Sequence, residues 1–244
     1  MTTNTGMSDA EIGACAARLS DAPPQEILRW AVAEFHPKLL MATAFGAEGC
    51  CIIHMLAEIE PNVTVLNLDT GYQFKETYEL RERILHRYGI AVEMIQPERT
   101  VEQYEADHGG PLYVHRPDQC CHDRKVLPLR RAMKDHDPRA WISAIRKDQT
   151  EHRAAAGVVQ WDAKFQVVKV NPLLNWTKKD VWKYITDNDV PYNPLHDEGY
   201  PSIGCWPCTR AVQPGEDDRA GRWAGNIKKE CGLHVIEVKD GSGI

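Results

Sequence analysis

Five cysteines carry the chemistry that can be read from this sequence: Cys120 and Cys121 in CCHDRKVLPL, Cys205 and Cys208 in PSIGCWPCT, and Cys231 in KKECGLH. A C-x-x-C pair by itself fits a redox disulfide, half of a metal site or two buried thiols. Two cysteine pairs far apart in the chain fit a four-cysteine zinc site or an iron-sulfur cluster. One zinc ion gathers its sulfurs at about 2.3 Å from a common centre, which adjacent side chains leaving the backbone in different directions do poorly. A cubane spreads its ligands over separate irons, so the adjacent pair favours [4Fe-4S], with zinc still open. Asp118, His122, Asp123, Arg124 and Lys125 surround that pair, a poor place to bury a plain thiol. Cys50 and Cys51 sit in an apolar helical stretch and read as core, and Cys15 as structural.

Cys231 has Lys228, Lys229 and His234 near it, and neighbouring cations raise the thiolate fraction of a cysteine. It reads as a nucleophile in a mobile tail or as an incidental surface thiol. Arg146, Lys147 and Arg153 follow a strand, and Arg219 and Arg222 lie in DDRAGRW; they could hold a small anion or form a solvated face. A net charge of −6 argues against a general nucleic-acid coat. Eight cysteines in this chain do not read as a secreted disulfide scaffold. The N-terminus shows no targeting pattern and no apolar run reaches membrane-spanning length, so the cytoplasm is the expected compartment.

The elements that must position these residues follow an α/β pattern. A helical segment from Asp9 to Phe35 breaks near Pro23 and Pro24. KLLMATA, VTVLNL and IAVEMI are apolar runs without alternation, separated by helical stretches, which indicates a mostly parallel sheet covered on both faces. AWISAI is a further strand, and VVQWDAKFQVVKVNPL reads as a hairpin or a pair of edge strands leading out of the sheet. Thr177 and Asp180 form a capping box for another helix. Beyond Asn193, proline and glycine are frequent and periodicity is lost, giving a loop-rich tail that is disordered or held by something other than a core. The expected division is an N-terminal helical segment (1–36), a nucleotide- and cluster-binding α/β domain (37–210) and a mobile tail (211–244). Thr43 and Gly46 at one turn, and Leu68 and Asp69 at the end of the next strand, lie at strand carboxyl ends, where such sheets bind ligands; Asp69 could equally be a helix cap.

From about Leu39 to His234 the sequence resembles the assimilatory adenylyl-sulfate (APS) reductases and the related phosphoadenylyl-sulfate (PAPS) reductases. The likeness rests on Cys-Cys-x-x-Arg-Lys-x-x-Pro-Leu at 120 to 129, Ser-Ile-Gly-Cys-x-Pro-Cys-Thr at 202 to 209 and Glu-Cys-Gly-Leu-His at 230 to 234. It implies a Rossmann-like adenine nucleotide α-hydrolase fold and a [4Fe-4S] cluster on Cys120, Cys121, Cys205 and Cys208. It further implies thioredoxin-dependent reduction of adenylyl sulfate to sulfite and AMP, with Cys231 as nucleophile and a cysteine thiosulfonate as intermediate. Lys125 matches the lysine between cluster and substrate, and Arg153, Arg219, Arg222 and His234 match residues that hold the phosphosulfate; Arg146 joins them as a candidate. The implied partners are the nucleotide and thioredoxin or a similar dithiol protein, with no nucleic acid and no membrane; homo-oligomerisation is left open. One departure stands out: where the family reads Ser-Phe-Ser-Gly-Ala-Glu-Asp, residues 43 to 49 read Thr-Ala-Phe-Gly-Ala-Glu-Gly, so backbone N–H donors are expected to take over contacts from the missing side chains. The competing readings are a PAPS reductase, an iron-sulfur RNA thiolation enzyme, whose intact ATP loop and basic face are not found, and a non-catalytic nucleotide-binding protein with structural zinc.

Overall fold

The structure, a computed structural model, describes residues 6–225, 228 and 233. Helix α1 (Asp9–Leu19) begins at Ser8, whose side chain forms a capping box with Glu11. Helix α2 (Pro24–Phe35) starts on Pro24, at the first-turn position where a missing N–H costs no helix bond. Then follow β1 (Leu39–Thr43), α3 (Ala47–Ile59), β2 (Thr64–Leu68), α4 (Lys75–Tyr88) and β3 (Val92–Ile95). A helical stretch comes next: α5 (Val101–His108), α6 (Leu112–His115), α7 (Pro117–Cys121) and α8 (Leu127–His136). The chain ends its regular part with β4 (Ala140–Ile142), α9 (Glu151–Ala154), β5 (Val159–Asp162), β6 (Val167–Val170) and α10 (Lys178–Asp187). Thr177 and Asp180 do form the capping box of α10.

The six strands lie in the order β3-β2-β1-β4-β6-β5. All neighbouring pairs are parallel except β5 with β6. The hairpin is as expected, but it does not leave the sheet: β6 pairs with β4 and only β5 is at the edge. Both faces are covered, which explains the apolar runs. Leu39 and Met41 of β1 join a core with α1, α2, α3 and α10, while Leu40 turns to the other face against Leu129, Ala132 and Met133 of α8. Each such side chain contributes about 2 kcal/mol on burial. The N-terminal helices share the sheet's own core through Ile12, Leu19, Ile27 and Leu28.

The chain runs from β1 outward to β3 and returns on the other side of β1 as β4, so the switch in strand order lies between β1 and β4. Crevices at such points receive ligands. Residues 193–225 have no long element but are tied down by specific bonds. Asn193, 1 % exposed, donates to Thr77 Oγ1 and accepts from the Leu195 amide. Backbone bridges join Gln73 to Cys205 and Thr209 to Arg222.

Candidate active site

A cleft of about 320 Å³ opens at the β1–β4 switch, lined on the sheet side by Thr43, Gly46, Leu68, Trp141 and Arg146. Gly46 precedes α3 and offers no capping side chain, so first-turn N–H groups at Ala47, Glu48 and Gly49 face the cleft end of a 13-residue helix, a position that favours anions. The altered loop has its own internal logic. Phe45 is buried and adopts φ 53°, and its N–H donates to Thr43 Oγ1 at 3.0 Å. A β-carbon at Gly49 would stand 2.6 Å from that same oxygen. Thr43 and Gly49 are therefore fitted to each other, and Phe45 is turned into the core.

The cleft has two unlike walls. On one, Arg146 donates to Glu48 at 2.9 Å and to Asp148 at 3.0 Å, with 7 % of its side chain exposed. Gln149 donates to Glu48 and accepts from Arg153. On the other wall lie Lys125, Ser202, Arg219 and Arg222. Arg219 and Arg222 both donate to Ser202 Oγ, at 3.4 and 3.2 Å, and Arg222 also to the Ile203 carbonyl at 3.2 Å. Leu233 lines the cleft as well.

Beside this wall the four cysteines Cys120, Cys121, Cys205 and Cys208 line one smaller cavity, together with Lys125 and Arg222. Cys120 and Cys121 end α7, and a π-helical turn, His122–Val126, carries the chain into α8. Pro128, in the first turn of α8, has no N–H for the Arg124 carbonyl and would crowd it in a continuous α-helix; the wider turn, a feature frequent at functional sites, lies at that point. Arg124 is thereby buried between the rings of Tyr72 and Tyr104, 5.3 and 5.1 Å away. Its Nε donates to the Thr70 carbonyl at 2.6 Å, fixing the cysteine helix to the Asp69-Thr70-Gly71 turn. The next residue, Lys125, faces both cavities.

The second cysteine pair meets the same turn. The Trp206 amide donates to the Tyr72 carbonyl at 2.8 Å, and Thr70 Oγ1 lies 3.3 Å from Cys205 Sγ. All four thiols are free. Burial first, then repulsion from its neighbours, pushes Cys120 up to about 12, and the same causes push Cys208 up to about 11. Burial also opposes ionisation of Cys205, but Lys125, Thr70 and Arg222 outweigh it and lower its pKa. An all-sulfur set crowded in this way is stabilised by a metal centre that binds thiolate. Four thiols around one cavity are a donor set that suits a thiolate-binding metal centre; among the described residues no group of three or more His, Cys, Asp or Glu side chains forms a site for a metal ion.

Of the residues singled out in the sequence, Lys125, Arg153, Arg219, Arg222, Arg146, Thr43, Gly46 and Leu68 line the cleft. Asp69 does not. Its carboxylate is turned inward, accepting from the Gly71 amide, Tyr78 and Gln96 at 3.0, 2.7 and 2.9 Å. Cys231 and His234 lie outside the described residues. Glu48, Asp148, Gln149, Ser202, Lys178 and Trp182 are cleft residues that the sequence did not single out; Glu48 and Ser202 stood in quoted motifs, and the others carry no local signal.

An open parallel sheet with an anion-suited cleft at its switch point defines a nucleotide-type α/β protein. Residues 38–211 match the phosphoadenosine phosphosulfate reductase domain. The chain is 46 % identical over 209 residues to an adenosine 5'-phosphosulfate reductase 1 of Bacillus subtilis, covering 85 % of this chain and 89 % of that one. It is 44 % identical over 233 residues to a phosphoadenosine 5'-phosphosulfate reductase of Gloeobacter violaceus, covering 94 % and 96 %. The crystal structure of a phosphoadenylyl-sulfate reductase from Candida auris, a phosphate complex, superposes with a TM-score of 0.75 at 35 % identity, covering 84 % of this chain and 98 % of that one. The chain belongs to the phosphoadenosine phosphosulfate reductase family and is an oxidoreductase of that family. Among the described residues no helix is long and apolar enough to cross a membrane.

Proposed function

We propose that this chain reduces adenylyl sulfate to sulfite and AMP in the cytoplasm, drawing two electrons from thioredoxin or a similar dithiol protein. The observation that carries the reading is one cleft lined by Lys125, Arg219, Arg222 and Leu233, the last lying two residues after Cys231 in the sequence. The Cys231 thiolate attacks the sulfate sulfur. The bond from that sulfur to the bridging phosphate oxygen breaks, and AMP leaves with the oxygen and the electron pair, so no proton is needed for the departure. A thiolate approaching a sulfate is repelled by it, and fixed cations offset that charge without reorganising during the step. Lys125, Arg219, Arg222 and, by sequence match, His234 are assigned to the phosphosulfate, with Arg153, braced by Gln149, facing it from the other wall. The first-turn N–H groups of α3 face the same anion.

The product on the enzyme is a thiosulfonate on Cys231. A thiol of the dithiol protein attacks the Cys231 sulfur and sulfite departs; the second thiol then resolves the mixed disulfide and returns Cys231 as thiol. Sulfur goes from the +6 to the +4 state while the dithiol is oxidised to a disulfide. Cys120, Cys121, Cys205 and Cys208 are assigned to a [4Fe-4S] cluster, which when bound supplies a fixed field beside Lys125 and positions the substrate site without cycling electrons. A cluster that changes oxidation state during turnover would contradict that role.

The test is to supply adenylyl sulfate or its 3'-phosphorylated form separately, with reduced thioredoxin, and to measure sulfite from each. Sulfite from adenylyl sulfate at a kcat/KM at least tenfold higher supports the reading. Preference for the 3'-phosphorylated nucleotide, the substrate named for the Gloeobacter relative, overturns it.

A further inference from the structure

Lys125 and Arg222 are the two described residues that line both the nucleotide cleft and the four-cysteine cavity. The way Arg222 reaches that position is unusual. Its backbone is pinned by the bridge to Thr209, and its guanidinium lies with Cζ 4.6 Å from the centre of the Trp223 ring. Across the group stands Gly204, the residue immediately before Cys205. A β-carbon built there would stand 2.3 Å from Nη2, 2.6 Å from Cζ and 3.0 Å from Nε. The whole guanidinium is in the way, so a side chain at 204 requires it to shift from its place over the Trp223 ring. Nη1 is held by the Ser202 hydroxyl and the Ile203 carbonyl, while Nε is buried without a hydrogen-bond partner among the described residues. Among the described residues no carboxylate forms an ion pair with this arginine, in contrast to Arg146.

We infer that Gly204 is a positioning residue: its missing side chain leaves the slot in which Arg222 lies, so that one guanidinium serves both the nucleotide anion and the cysteine cavity. The inference rests on the proposed function for the identity of the anion, but the slot itself does not. With Arg222 in the slot, a change in charge on the cleft side is felt at the cysteines through a group touching both. A larger residue at 204 pushes the guanidinium out and severs that route while leaving the four thiols in place.

Two measurements on the full chain, purified with its native metal, test this. The first is a thermal-stability cycle of Gly204→Ala, Arg222→Ala and the double variant. Gly204→Ala is expected to lower Tm by about 4 °C when Arg222 is present, as overpacking does in a domain of this size. In the Arg222→Ala background the same change is expected to shift Tm by no more than about 1 °C, because the clashing group is gone. Equal losses in both backgrounds overturn the slot.

The second is the visible spectrum of the metal-loaded protein titrated with AMP, alongside kcat and KM for adenylyl sulfate. In wild type, AMP is expected to perturb the spectrum. In Gly204→Ala that perturbation is expected to disappear and KM to rise about tenfold with iron content unchanged, the double variant being no worse than Arg222→Ala alone. A Gly204→Ala protein with the wild-type response to AMP overturns the bridging role, and one that has merely lost iron overturns it too. Gly13→Ala, on α1 with nothing near its β-carbon, is the control: it is expected to raise Tm by about 2 °C, as removing a helical glycine does, and to match wild type in iron content, spectral response, kcat and KM. If wild type makes no sulfite, the proposed function fails, and the stability cycle still decides the slot.

Discussion

The two walls of the cleft use the same residue type for opposite ends. On the α3 side Arg146 is enclosed by Glu48 and Asp148, so its charge is consumed inside the protein. On the cysteine side Arg222 is held by a hydroxyl and a carbonyl, neither of which cancels its charge. Under the proposed function, an arginine in this cleft is a strut or an anion receptor according to what faces it: the first wall would stiffen the site and the second would supply its field.

The largest effect that can break this contrast lies in the sulfur set. Cys205→Ala is expected to lose most of its bound iron, measured by metal analysis after anaerobic purification; retention of the wild-type content would detach Cys205 from the second wall's role. Arg146→Gln comes next. It strands Glu48, whose side chain is 17 % exposed, and is expected to cost about 3 kcal/mol of folding stability by denaturant titration, with KM for the residual folded enzyme little changed. Arg222→Gln is the mirror image, expected to lower kcat/KM about 10²-fold while shifting the denaturation midpoint little. Should Arg146→Gln act on KM and Arg222→Gln on stability, the assignment of the walls is reversed. The smallest effect sharpens the loop: Gly49→Ala is expected to cost about 2 kcal/mol, and combining it with Thr43→Ala, which removes the obstructing oxygen, is expected to recover more than half of that.

These contrasts explain what could be read from the sequence. Runs such as LLMAT and TVLNL announce a sheet buried on both faces because both faces are in fact covered. That the two cysteine pairs belong together was legible from their types, and they do line one cavity; the burial of Cys120 and Cys121 within their charged stretch was not. Asp69 was not: an aspartate after a strand can turn outward to a ligand or inward to Tyr78 and Gln96, and the choice depends on residues distant in sequence. The ion pair that encloses Arg146 was hidden for the same reason, because its partner Glu48 comes from the other side of the switch point. The π-helical turn at 122–126 was hidden as well, although Pro128 marks its far end. Residues 193–225 read correctly as irregular, but the bonds that hold them, Asn193 to Thr77 and Trp206 to Tyr72, are long-range pairings with no local pattern.

The central claim is that adenylyl sulfate passes its sulfonate group to Cys231. Incubating the metal-loaded protein with adenylyl sulfate and no reductant, then mapping peptides by mass spectrometry, tests it most directly. The account predicts a stoichiometric sulfonate on the peptide carrying Cys231, released as sulfite when reduced thioredoxin is added. A sulfonate on another cysteine, or sulfite formed by a Cys231→Ser protein, would contradict it.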